Sequence, residues 1–80
     1  MNAKIYVTLK NGVLDPQGKA VKHSLETLGF AEVADVRIGK FIELKLSDSL
    51  SKTEAEAHVK QMCEKLLANT VIESYRIELV

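Results

Sequence analysis

The chain has one cysteine, Cys63, which excludes an internal disulfide, and two histidines, too few for a zinc constellation. Eleven basic and eleven acidic residues cancel, so no excess of one sign points to a phosphate-driven nucleic-acid binder. No apolar run approaches the roughly 20 residues that span a bilayer. The first residues lack the pattern of a secretory leader. One free thiol without an export signal fits a reducing cytoplasm. Glycine is scarce and scattered: Gly12 and Gly18 stand alone, so neither a Walker-type loop nor a dinucleotide fingerprint is present. There is no internal repeat and no low-complexity segment. At 80 residues the chain is expected to be a single domain over residues 1–80. A domain this small buries only about 60% of its unfolded surface, and without disulfide or metal staples it is expected to gain stability by oligomerising.

What is present reads as alternating strands and amphipathic helices. Residues 4–9 put Ile5, Val7 and Leu9 on one face and Lys4, Tyr6 and Thr8 on the other, a half-buried strand. Asn11-Gly12 breaks it. Asp15-Pro16 then opens a helix, the carboxylate accepting orphan N–H groups and the proline lacking a donor that would be unpaired anyway. That helix is expected over residues 16–28, with Val21, Leu25 and Leu28 as its stripe. Gly29 is placed to end it in the left-handed conformation, with Phe30 folding back. Gly18 sits in its first turn, where glycine is about 1 kcal/mol worse than alanine, which suggests either a close backbone approach or a glycine tolerated at a frayed helix start.

Strands are expected at 33–38 and 41–46, joined by a Gly39-Lys40 hairpin turn with glycine first. Ser51-Lys52-Thr53-Glu54 fits a capping box for a second helix whose stripe is Ala55, Val59, Met62 and Leu66, with Cys63 beside it and Asn69 closing it. A last strand over 71–80 puts Val71, Tyr75, Ile77 and Leu79 on one face. The order β-α-β-β-α-β has a simple compact solution: a ferredoxin-like α+β two-layer sandwich, its antiparallel sheet carrying both helices on one face and its first and third strands central.

The sheet's other face then carries Tyr6, Val33, Arg37, Phe41, Glu43, Ile72 and Arg76, apolar groups interleaved with charges. Three readings compete: scattered surface apolars, base stacking of single-stranded RNA on Tyr6 and Phe41, and sheet-to-sheet packing between subunits. The zero net charge disfavours RNA, and packing between copies is preferred. Candidate chemistry is thin. Cys63 lies on an apolar helix side and reads as buried and inert. His23, His58, Glu54, Glu56 and Glu64 read as helix-surface groups, so no catalytic residue and no metal site is expected.

Lys10-Asn11-Gly12-Val13-Leu14-Asp15-Pro16-Gln17-Gly18-Lys19-Ala20 resembles the signature of the PurS family, the small subunit of phosphoribosylformylglycinamidine synthase. Leu28-Gly29-Phe30, Val36-Arg37-Ile38-Gly39-Lys40, Met62-Cys63-Glu64-Lys65-Leu66-Leu67-Ala68-Asn69 and Val71-Ile72-Glu73-Ser74-Tyr75 match at the family's spacings. The departure is Thr70, where the family usually has proline. The resemblance implies a non-catalytic subunit of a glutamine-using, ATP-dependent ligase complex in de novo purine biosynthesis. It implies two partners, a glutaminase subunit and a large synthetase subunit, and a homodimer or dimer of dimers that helps ammonia pass between them. ATP, magnesium and glutamine would be used by those partners, and no cofactor is expected on this chain. Residues that folding leaves unexplained are the candidate partner contacts: Asn11, Gly12, Gln17 and Gly18 beside Asp15, then Arg37 and Lys40 beside Gly39, then Asn69 and Tyr75 with Glu73. The alternative is a ligand-binding regulatory module of the ACT type, which shares the element order and would use the loop at residues 10–14.

Overall fold

The computed structural model describes all 80 residues. β1 (Asn2–Leu9) leads to helix α1 (Pro16–Thr27), then β2 (Gly39–Lys45), helix α2 (Lys52–Met62) and β3 (Glu73–Leu79). A π-helical turn, Cys63–Leu67, extends α2 before the chain turns into β3. The strands form an antiparallel sheet in the order β2-β1-β3. Ile5 stands opposite both Ile42 and Ile77, and Tyr6 opposite Phe41 and Arg76. The arrangement is ferredoxin-like α+β, with β1 central.

Local signals form as their chemistry dictates. The Asp15 carboxylate caps α1 by accepting from the Gly18 N–H at 2.9 Å. At the other end Phe30 N donates to Leu25 O and Gly29 N to Glu26 O, with Gly29 at φ 100°, a complete Schellman closure. Ser51 and Glu54 make both bonds of the capping box that starts α2.

The core lies between β1 and α2. Ala3, Ile5 and Val7 meet Val59, Cys63 and Ala68, and Ile42, Leu44, Tyr75, Ile77 and Leu79 pack around them half-buried. The stripe of α2 differs from the expected one: Ala55, Val59 and Cys63 face the sheet, whereas Met62 and Leu66 lie to one side and are exposed. The π-helical turn inserts an extra residue per turn, which is why Leu67 and Ala68, rather than Leu66, return to the core.

Two expectations are corrected. Residues 33–38 form no strand, and Gly39-Lys40 is not a hairpin turn but the start of β2. The N–H groups that would have joined a ladder bond to carboxylates instead: Ile38 N donates to Asp15 Oδ2 at 3.0 Å and Val36 N to Asp35 Oδ1 at 2.9 Å. Gly39 is required by proximity, because a Cβ there would collide with the Val7 carbonyl of β1. β2 is therefore an edge strand. The second correction concerns α1, which does not cover the sheet. It has no extensive contact with any strand or with α2 and projects from the end of the sheet as an arm. The molecule measures 51 × 24 × 14 Å with a Cα radius of gyration of 16.2 Å, against about 12 Å for a compact chain of this length.

Candidate partner interface

The three groups that folding left unexplained in the sequence converge at one end of the sheet, the root of the arm. Thr8 is paired with Gly39 on one side and Ser74 on the other, and Leu9 with Glu73. Lys10 N donates to Ile72 O at 2.8 Å, tying the loop after β1 to the turn before β3. Lys40 Nζ lies 3.8 Å from Glu73 Oε2, and Glu73 Oε1 accepts from Asn69 N at 2.7 Å. A recess of about 290 Å³ between them is lined by Asp15, Gln17, Lys40 and Glu73 among others. A second, of about 320 Å³, lies beyond Asp15 and is lined by Gly12, Lys19, Asp35 and Arg37.

Several of these residues have structural duties. Arg37 was expected on the open sheet face; it reaches instead to the loop after β1. Its Nη1 donates to Asn11 Oδ1 at 3.0 Å and its Nη2 to the carbonyls of Leu9 and Lys10. Asp15 bonds to Gly18 and Ile38 at once, and these bonds, with the Arg37 charge, hold its carboxyl below the usual range. Gly18 is buried because the backbone of residue 36 crosses it: a Cβ there would overlap Val36 O and lie 2.8 Å from Asp15 Oδ2. Asn69 makes its own turn, its side chain accepting from Val71 N at 3.2 Å. Tyr75 points inward beside Val7, and burial together with Glu64 pushes its phenol up. Gln17 and Lys40 are left exposed on this lip, and Gln17 makes no side-chain hydrogen bond.

The open face of the sheet is as expected on the strands that exist. Phe41, Tyr6 and Arg76 line up across the register, the two rings 5.1 Å apart and the guanidinium 4.2 Å above Tyr6. Arg76 also bonds Glu78 at 3.2 Å, and Glu43 stands on the same face opposite Lys4. Val33 and Arg37 are not on this face, since their segment is no strand, and Ile72 lies in the turn before β3.

Cys63 is fully buried, and burial, then the neighbouring Glu64, push its thiol up from the ordinary value. A maleimide reagent is expected to label the native chain slowly and completely only once denaturant unfolds it; rapid native labelling would show the thiol is reachable. No three His, Cys, Asp or Glu side chains cluster as a metal site requires, and no helix is long and apolar enough to cross a membrane.

Fold and site together define a small ferredoxin-like protein whose distinctive surface is a polar lip at the root of a projecting helix. Over residues 2–80 the sequence matches the family model described as PurS, phosphoribosylformylglycinamidine (FGAM) synthase. It is 57% identical over 75 residues to the synthase subunit PurS of Bacillus subtilis, covering 94% of this chain and 87% of that protein. To the Synechocystis PurS it is 49% identical, covering 98% and 77%. The crystal structure of B. subtilis PurS matches with a TM-score of 0.86 at 56% identity, over 96% of this chain and 94% of that one. A chain in the Thermotoga maritima PurLQS structure matches with a TM-score of 0.84 at 30% identity, over 100% and 99%. This chain belongs to the PurS family.

Proposed function

We propose that the chain is the non-catalytic assembly subunit of phosphoribosylformylglycinamidine synthase in de novo purine biosynthesis, working in the cytoplasm. It bridges the glutaminase and large synthetase subunits and aids the transfer of ammonia between them. The observation that carries this reading is the end-to-end likeness to the chain of the Thermotoga PurLQS assembly. The fates of the reactive groups support it: Cys63 is sealed in the core and Asp15 is engaged by two backbone N–H groups. Glutamine, ATP and magnesium are then handled by the partners. A protected route matters because ammonia released to bulk water at neutral pH mostly becomes ammonium and loses its nucleophilic lone pair; closure against water prevents that leakage.

Reconstitution tests the reading. Purified synthetase and glutaminase are assayed with and without this chain for glutamine-dependent and ammonia-dependent amidine formation. Glutamine-dependent turnover that appears only with the chain, beside ammonia-dependent turnover that needs only the synthetase, supports coupling without chemistry. No effect of the chain overturns the proposal and directs attention to the ligand-binding module. In the same assay Gln17→Ala is expected to leave thermal unfolding unchanged. It should need roughly ten-fold more protein to saturate glutamine-dependent turnover, the scale of about 1.4 kcal/mol of lost contact. Arg37→Ala should, in addition, loosen the loop it ties.

A further inference from the structure

Asn11-Gly12 is the one place in the chain where asparagine precedes glycine. Both residues are exposed. They are the central pair of a turn in which Val13 N donates to Lys10 O at 3.2 Å, with Gly12 at φ 85°. The Gly12 N–H itself donates to nothing. No atom beyond its chain neighbours lies within 4 Å of where a Gly12 Cβ would stand. The nitrogen that can attack the Asn11 side-chain amide is therefore neither bonded nor crowded. We propose that Asn11 is a site of spontaneous deamidation through ring closure by the Gly12 nitrogen, and that Arg37 holds it back in the native loop.

The reaction consumes only water. The Gly12 nitrogen bonds to Asn11 Cγ and gives up its proton; the Cγ–Nδ2 bond breaks, and Nδ2 leaves with that proton as ammonia. The product is a five-membered succinimide. Water adding at Cγ breaks the new bond and gives aspartate on a normal main chain. Water adding at the main-chain carbonyl of residue 11 gives an isoaspartyl link, in which the chain runs through Cγ. The other amides are placed less well. Asn2 is held in β1, bonded through both N and O to Val80, and alanine follows it. Asn69 precedes the β-branched Thr70, and its Oδ1 accepts from Val71 N at 3.2 Å. Gln17 precedes a glycine, but Gly18 is buried and its N–H is taken by Asp15 at 2.9 Å.

Arg37 is the restraint. Its Nη1 donates to Asn11 Oδ1 at 3.0 Å while its Nη2 donates to the carbonyls of Leu9 and Lys10. One rigid fork thus fixes the side chain and the main chain of the loop together. Ring closure needs the amide carbon to swing into line with the Gly12 nitrogen, and that grip opposes the swing. Aspartate at residue 11 keeps the grip as an ion pair. An isoaspartyl link lengthens the main chain inside the turn and carries the three acceptors of Arg37 out of register. Either product adds one negative charge to a chain whose formal net charge is zero, and adds it at the root of the arm.

Prolonged incubation of the full chain in mildly alkaline buffer tests both parts, with peptide mapping by mass spectrometry and labelling by an isoaspartyl methyltransferase. Wild type is expected to convert at Asn11 ahead of Asn2 and Asn69, and to gain a more acidic species on ion exchange. Arg37→Ala, checked for folding by circular dichroism, should convert about ten-fold faster, the scale of one charge-assisted hydrogen bond. Arg37→Lys keeps the charge but not the fork and should also convert faster. Asn11→Gln should stay unconverted, since its ring would be the slower six-membered one. Earlier conversion at Asn2 or Asn69, or none at residue 11 in wild type and both Arg37 variants alike, overturns the site. Rates in the two variants no greater than in wild type overturn the part given to Arg37.

Discussion

Gly18→Ala is expected to destabilise the chain, although the same replacement in an ordinary helix gains about 1 kcal/mol. The sign turns on one approach. The backbone of residue 36 crosses the first turn of α1 so closely that a methyl group on residue 18 overlaps the Val36 carbonyl and presses on the Asp15 carboxylate. Neither neighbour is free to retreat. Val36 lies between bonded positions, with Val36 N on Asp35 and Ile38 N on Asp15, and Asp15 is the cap itself. Forcing such an overlap costs about 1–3 kcal/mol, and losing the cap adds about 1 kcal/mol, so the helix-propensity gain is outweighed. Urea denaturation of Gly18→Ala beside Ser24→Ala, an exposed position in the same helix, separates the two effects. Residue 24 should gain slightly and residue 18 lose. Native-state hydrogen exchange should show the loss in the first turn of α1 and at Ile38. An equal gain at both positions would mean that the crossing is loose.

Ile5→Ala is expected to unfold the isolated chain at ambient temperature. Ile5 is fully buried at the centre of β1, between Ile42 and Ile77 and in the core with Val59 and Cys63. Truncating such a side chain costs about 2–5 kcal/mol, while a single core of this size supplies about 3–5 kcal/mol in all. The margin is consumed by one residue because the core is so small: seven hydrophobic residues are buried, since α1 adds nothing to it. Leu14→Ala is the control. Leu14 is 64% exposed, and its loss should stay within about 0.5 kcal/mol. Thermal unfolding by circular dichroism reads both variants; a folded Ile5→Ala chain at 25 °C with an unchanged midpoint would mean that stability resides elsewhere.

The features legible in the sequence were those whose partners lie within a few residues. The Asp15 cap, the Leu25 to Phe30 closure and the Ser51–Glu54 box each bond locally, so residue type and spacing specify them. The alternation of β1 placed Tyr6 outside and Ile5 and Val7 inside without error, because a half-buried strand has only one way to hide its apolar side. Residues 33–38 carry the same alternation and yet form no strand. The Asp15 carboxylate, 23 residues before Ile38, takes its N–H, and no periodicity reports that. Gly39 shows the same limit: glycine before a charged residue reads as a hairpin turn, whereas here it admits the Val7 carbonyl. Met62 and Leu66 sit at helical spacing from Val59, but Met62 lies to one side of the buried Val59–Cys63 face, and the π-helical turn over Cys63–Leu67 carries Leu66 off it. The candidate interface was legible as unexplained residues at Gln17 and Lys40. Arg37 was not readable as structural, because its acceptors are backbone carbonyls near residue 10.

Asp15 joins the cap of a helix to the return of the chain from it, and it does so only as a carboxylate. Its pKa in the folded chain lies below the ordinary 3.8 because both bonded N–H groups favour the charged form. Its contribution is therefore complete above that ordinary value and is lost as acid brings the pH down through the lower, folded one. A proton on this one side chain releases Gly18 and Ile38 together. In acid, then, the arm should come loose at its root while the β1–α2 core, which contains no buried charge, still holds.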